Sequence, residues 1–128
     1  MHRFAIRLLR SRTAISAILA AAVLAPGGAA LALDCPAPQP LTKPGILKES
    51  PAQVAAVGKL LTSGDTYNAI AAVTADLRAR YPGVERAELV NYLMTAYCPA
   101  VAANPRLSEM QKRDAVQSFS SEVMYQVY

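Results

Sequence analysis

The chain has 128 residues, 53% of them hydrophobic and 6% aromatic, with a formal net charge of +4 and a pI near 9.3. That basic excess stands at Arg3, Arg7, Arg10 and Arg12; after residue 32 nine basic and nine acidic side chains balance, so the electrostatic footprint of a nucleic-acid binder is missing. The sole histidine is His2, so the remainder has no means of Ser-His-Asp or Cys-His activation, no imidazole for zinc or copper and no haem-attachment motif.

The first segment has the pattern of a secretory signal. A basic stretch, His2 to Arg12, gives way to the uncharged run Ala14 to Ala25, which Pro26-Gly27-Gly28 interrupts. Ala30-Leu31-Ala32 then supplies the small residues that signal peptidase accepts. Cleavage is expected after Ala32, with Ala30 as the second choice. The competing reading is a retained membrane anchor, but crossing a bilayer takes roughly 20 apolar residues and this run breaks well before that. Asp34 stands before Cys35, where a lipidation signal needs a small residue, and Arg10-Ser11-Arg12 is not a paired-arginine signal. General secretion of an unfolded chain is therefore expected, followed by a periplasmic or secreted location and no cofactor. Contact with a membrane is expected only through the signal.

Removal of residues 1–32 leaves 96, enough for one domain with a modest core. Residues 33–50 carry Pro36, Pro38, Pro40 and Pro44, a spacing that disfavours helix and predicts an extended arm. The arm also suits a proline-reading partner, the sharper and less favoured alternative. Cys35 and Cys98 are the only cysteines, and in an oxidising compartment an even pair most often forms a bridge. Two free thiols or a metal pair are the alternatives, without supporting ligands; no metal site is expected.

The remainder, 51–128, reads as a helical domain. Ser50-Pro51-Ala52-Gln53 combines a serine cap, proline at the first helical position and glutamine three residues after the cap, predicting a helix from Pro51 to about Thr62. Gly64 ends it and Asp65 caps a second, in which Tyr67, Ile70, Thr74, Leu77 and Tyr81 recur at steps of three and four. Asp76 and Arg80 make an i,i+4 pair on its outer face, and Pro82-Gly83 stops it. A third helix is predicted from about Val84 to Cys98. It is apolar except for a strip through Glu88, Asn91 and Thr95, as befits a central helix, with Pro99 ending or kinking it and Cys98 at its C-terminal end. Glu85 and Glu88 could pair as acids, but two solvated carboxylates at a helix start is the favoured reading. Ser108-Glu109-Met110-Gln111 opens a last helix towards Tyr128, with Val116, Phe119, Val123 and Val127 on one stripe. No strand-type alternation or repeat appears. The expected fold is all-α, a small bundle of about four short helices with a Pro-rich N-terminal arm stapled by one disulfide.

Two features bear on function. Met110, Met124 and Tyr128 share one side of the last helix, away from its Val-Phe stripe, and form a candidate partner surface. A single broad buried stripe with a frayed end is the favoured alternative. Six tyrosines without tryptophan suit a contact surface or an apolar pocket, with Tyr92 and Tyr97 as the pocket candidates, although helical spacing makes most of them core or core-edge residues. No catalytic constellation is apparent, and an enzyme is not expected. The expected function is that of a non-enzymatic binding module of the cell envelope, an accessory subunit, adaptor or inhibitor that engages an envelope protein or a second copy of itself. The alternatives are a stress chaperone that opens at low pH, as nine carboxylates are protonated, and a carrier of a small apolar ligand.

Overall fold

The computed structural model describes residues 32–37 and 45–128. The expected signal segment, apart from Ala32, and Pro38, Pro40 and Pro44 of the arm lie outside the described residues. Within them four helices follow in order: α1 (Pro51–Leu61), α2 (Thr66–Arg80), α3 (Arg86–Ala102) and α4 (Glu109–Val127). No strand occurs among the described residues.

Local chemistry explains the helix starts. At α1 the Ser50 hydroxyl accepts from the Gln53 N–H at 3.3 Å while the Gln53 side chain accepts from the Ser50 N–H at 2.7 Å. Ser108 and Gln111 repeat this reciprocal arrangement at α4, at 3.2 and 2.8 Å. Each pair satisfies two backbone groups that a helix terminus otherwise leaves unpaired. Asp65 caps α2 through the Asn68 N–H at 3.2 Å, and its other oxygen takes the Asn68 amide at 2.6 Å. Between α1 and α2 the chain turns through Gly64 at φ 126°, a conformation open chiefly to glycine.

α3 packs most extensively against both α1 and α4 and is the central element. It buries Leu89, Tyr92, Leu93, Thr95, Ala96, Tyr97, Cys98 and Val101. The expected polar strip is thus interrupted: Asn91 is exposed, but Thr95 is inside. α1 reaches α3 at Gly58, where a Cβ would lie 2.3 Å from the Ala96 carbonyl oxygen, so the absence of a side chain sets how near the two helices come. α2 contributes Ala69, Ile70, Val73, Thr74 and Leu77, and α4 contributes Phe119, Val123 and Val127, with Val116 partly buried beside them.

α3 does not stop at Pro99. It continues to Ala102, with Pro99 inside it, so Cys98 lies one turn short of the end rather than at the end. Proline removes the bond its N–H would make to Thr95, but the following turn is secured by the Ala103 N–H donating to the Pro99 carbonyl at 3.0 Å and by burial of Val101. Continuing the helix past Pro99 keeps Val101 in the core, which offsets the bond lost at Pro99.

Candidate functional site

The Cys35–Cys98 disulfide is formed, with the two Cα atoms 5.5 Å apart. This spacing lies within the range a bridge requires. Cys98 is buried in α3, so the bridge holds the first part of the arm against the central helix. Two further contacts hold the arm. The Leu33 N–H donates to Glu109 Oε2 at the start of α4, at 3.3 Å, and the Leu47 N–H donates to Glu88 Oε1 on α3, at 2.8 Å. Glu88 is therefore half-buried and employed, whereas a solvated carboxylate was expected.

The last residues before α1 contain a feature that pattern alone did not disclose. The Glu49 side chain is 3% exposed. Its Oε1 accepts from Arg80 Nη1 and from the Tyr81 hydroxyl at 2.7 Å, and its Oε2 accepts from the Tyr92 hydroxyl at 3.3 Å. One carboxylate thus joins the arm to the end of α2 and the middle of α3. Arg80 also keeps the expected pair with Asp76, at 2.7 Å. These bonds hold the Arg80 guanidinium above its ordinary pKa, Asp76 first and Glu49 second. The Tyr81 hydroxyl is raised chiefly by its hydrogen bond to Glu49, and that of Tyr92 chiefly by burial, with the Glu49 charge next. A carboxylate engaged by three donors and closed off from solvent acts as a structural tie.

Tyr92 and Tyr97 are 8% and 9% exposed and belong to the packed interior. The Tyr97 ring lies flat on that of Phe119 in α4, centroids 3.7 Å apart and planes within 5°, and burial raises its hydroxyl pKa.

The residues of the candidate partner surface are placed differently. Met110, Met124 and Tyr128 are 72%, 45% and 62% exposed, and Tyr125 beside them is 78% exposed. Met110, Met124 and Tyr128 lie about a third of a turn around α4 from the Phe119, Val123 and Val127 stripe, with Tyr125 further round, so α4 has two apolar sides and only one is in the core. Met124 lies about 21 Å along the helix from Met110, at 1.5 Å per residue, so the three do not form one cluster. Met124, Tyr125 and Tyr128 do gather at the C-terminal end. There the Gln126 side chain donates to the Tyr67 carbonyl at 3.1 Å, and the Arg86 guanidinium stands 5.7 Å from the centre of the Tyr128 ring, within cation–π reach. Tyr67, expected on the core stripe of α2, is 56% exposed. It sits in the first turn of α2, one turn before Ile70, the first large buried side chain of that helix. This end of the bundle consequently displays three tyrosines and a methionine with a neighbouring cation.

Among the described residues no group of three or more His, Cys, Asp or Glu is placed to hold a metal ion, and no helix is long and apolar enough to cross a membrane. The chain matches no family model, no curated protein and no solved structure.

Proposed function

We propose that this is an exported, non-enzymatic interaction module of the cell envelope that engages a protein partner, or a second copy of itself, through the end of the bundle bearing Tyr67, Met124, Tyr125 and Tyr128. The observation that carries this reading is the display of these four large side chains in a small domain whose core is already filled from the other side of α4. Tyrosine and methionine with a nearby arginine is the composition enriched at protein interfaces. The Cys35–Cys98 bridge is compatible with an oxidising, extracytoplasmic compartment.

The test is affinity capture from an envelope extract together with sedimentation of the purified protein. A stoichiometric partner or a homodimer is expected, and the triple change Met124→Ser, Tyr125→Ser, Tyr128→Ser should abolish it while leaving the melting temperature within about 3 °C, because exposed positions change stability little. A strictly monomeric protein that retains nothing refutes the reading.

A second reading, a chaperone that opens in acid, draws support from the way the arm is held to the bundle through carboxylates, Glu49 on Arg80, Tyr81 and Tyr92 and Glu88 on the Leu47 N–H. Binding of an apolar dye at low pH, with protection of an aggregating client, is its test.

A further inference from the structure

We propose that signal peptidase cuts between Ala32 and Leu33 and that the α-ammonium so created at Leu33 docks on Glu109, forming an ion pair that exists only in the processed protein. The inference rests on the export reading and deepens it.

The geometry starts at the arm. Leu33 is half-buried, and its backbone nitrogen already points at Glu109 Oε2 from 3.3 Å. It lies two residues before Cys35, whose bridge to Cys98 fixes that stretch against α3. Most of the entropy of positioning the nitrogen is therefore already removed by the bridge. While residue 32 is attached, the nitrogen is a neutral amide with one proton. Hydrolysis of the Ala32–Leu33 peptide bond adds water across it, leaving a carboxylate on Ala32 and a protonated amine on Leu33. The same nitrogen then carries a full charge and three donors, and a charge-assisted bond is about twice as strong as a neutral one and shorter.

The receiving carboxylate suits this role. Glu109 Oε1 is held by Lys112 Nζ at 2.8 Å, leaving Oε2 to Leu33. Lys112, and to a lesser degree the Leu33 N–H, hold the Glu109 carboxyl below its usual range, so it is ionised at physiological pH. The other charged groups nearby are Arg113 on α4 and Asp34 on the arm, and the α3 segment from Cys98 to Ala102 carries none. Cleavage after Ala30 would instead leave Leu33 as an internal amide and place the charge two residues further along, up to about 7 Å away.

The consequence concerns timing. The bridge needs an oxidising compartment and the terminal ion pair needs cleavage, so these two ties, which hold the first part of the arm, form after translocation. The precursor lacks them while it must remain unfolded.

The test expresses the full 128-residue chain in a secreting bacterial host and isolates the processed protein from the envelope. Intact mass should place the first residue at Leu33. In an NMR titration the α-amine should have a pKa at least half a unit above the ordinary value of about 7.7–8.0. Glu109→Gln should return it to that range, and in the unsubstituted protein 1 M salt should shrink the shift, a readout that needs no variant. A first residue at Leu31, or an amine that titrates alike with and without Glu109, overturns the proposal and leaves export standing. An unprocessed chain overturns the export reading and the proposal with it.

Discussion

Gly58→Ala tests how closely the two halves of the bundle are fitted. On an exposed helix face this change would raise stability by about 1 kcal/mol, because alanine is the better helix former. At Gly58 the new Cβ would meet the Ala96 carbonyl oxygen at 2.3 Å and the Ala100 Cβ at 3.3 Å, whereas ordinary contact begins at 3.4 Å. The nearer atom is backbone of a central helix and cannot rotate away, so α1 must withdraw by about 1 Å. That displacement loosens Val54 and Leu61, which α1 buries on either side of Gly58. A gap of that size forfeits a quarter to a half of the dispersion attraction at each affected contact. Overpacking costs about 1–3 kcal/mol, and with the obstructing atom a backbone oxygen at 2.3 Å the upper part of that range, about 2–3 kcal/mol, applies; after subtracting the helix-forming gain of about 1 kcal/mol the net loss is about 1–2 kcal/mol. At about 4–8 °C per kcal/mol for a domain of this size, the melting temperature should fall by about 5–15 °C in calorimetry. A control at Gly64, where nothing lies within 4 Å but φ is 126°, should also destabilise, through backbone strain alone. An unchanged or higher melting temperature for Gly58→Ala would refute the account of the α1–α3 contact.

Three further outcomes follow from the ties of the arm. Glu49→Ala strands the buried Tyr92 hydroxyl and should cost about 2–3 kcal/mol, whereas Glu49→Gln, which retains hydrogen-bonding capacity, should cost about 1 kcal/mol, with the exposed Arg80 contributing little to either; equal urea midpoints for the two variants would contradict this. Replacing Cys35 and Cys98 by alanine opens a link spanning 63 residues and should cost up to about 4 kcal/mol, with a fall in melting temperature of more than 10 °C and new proteolytic sensitivity near residues 33–37. The hydroxyls of Tyr81, Tyr92 and Tyr97 all have pKa values raised above the ordinary 10.0. For a group raised on folding, the stability contribution is complete below the unfolded pKa and is lost as pH rises through the folded value. The melting temperature should therefore decline above pH 10, and Tyr92→Phe should flatten that decline.

The helix starts were legible because their information is local. Ser50 with Gln53, Ser108 with Gln111, and Asp65 each meet partners three residues away, so a linear pattern contains the whole interaction. The pairing of Cys35 with Cys98 was legible for a different reason, since two cysteines admit one bridge. Angular periodicity also separated the two apolar sides of α4 correctly. It did not say which would be covered, and the single buried stripe that pattern favoured is not what α4 forms.

The residues that escaped prediction depend on neighbours distant in sequence. Glu49 shows no signal of burial beside the Ser-Pro cap, because its three partners lie 31 to 43 positions away. Pro99 and Thr95 were read from intrinsic preference, and the packing of α3 between α1 and α4 overrode both. Tyr67 shares a stripe with Thr74, yet stands outside because it precedes the buried part of α2.

Sequence by itself therefore determined that there are four helices, the caps of α1, α2 and α4, the pairing of the cysteines and the neutral charge of residues 33–128, each a matter of short-range chemistry or composition. Only the tertiary structure decided that Glu49 is an internal tie, that Gly58 is a point of contact and that Met124, Tyr125 and Tyr128 face outward. Periodicity specifies positions around one helix axis, whereas burial depends on where the other axes lie.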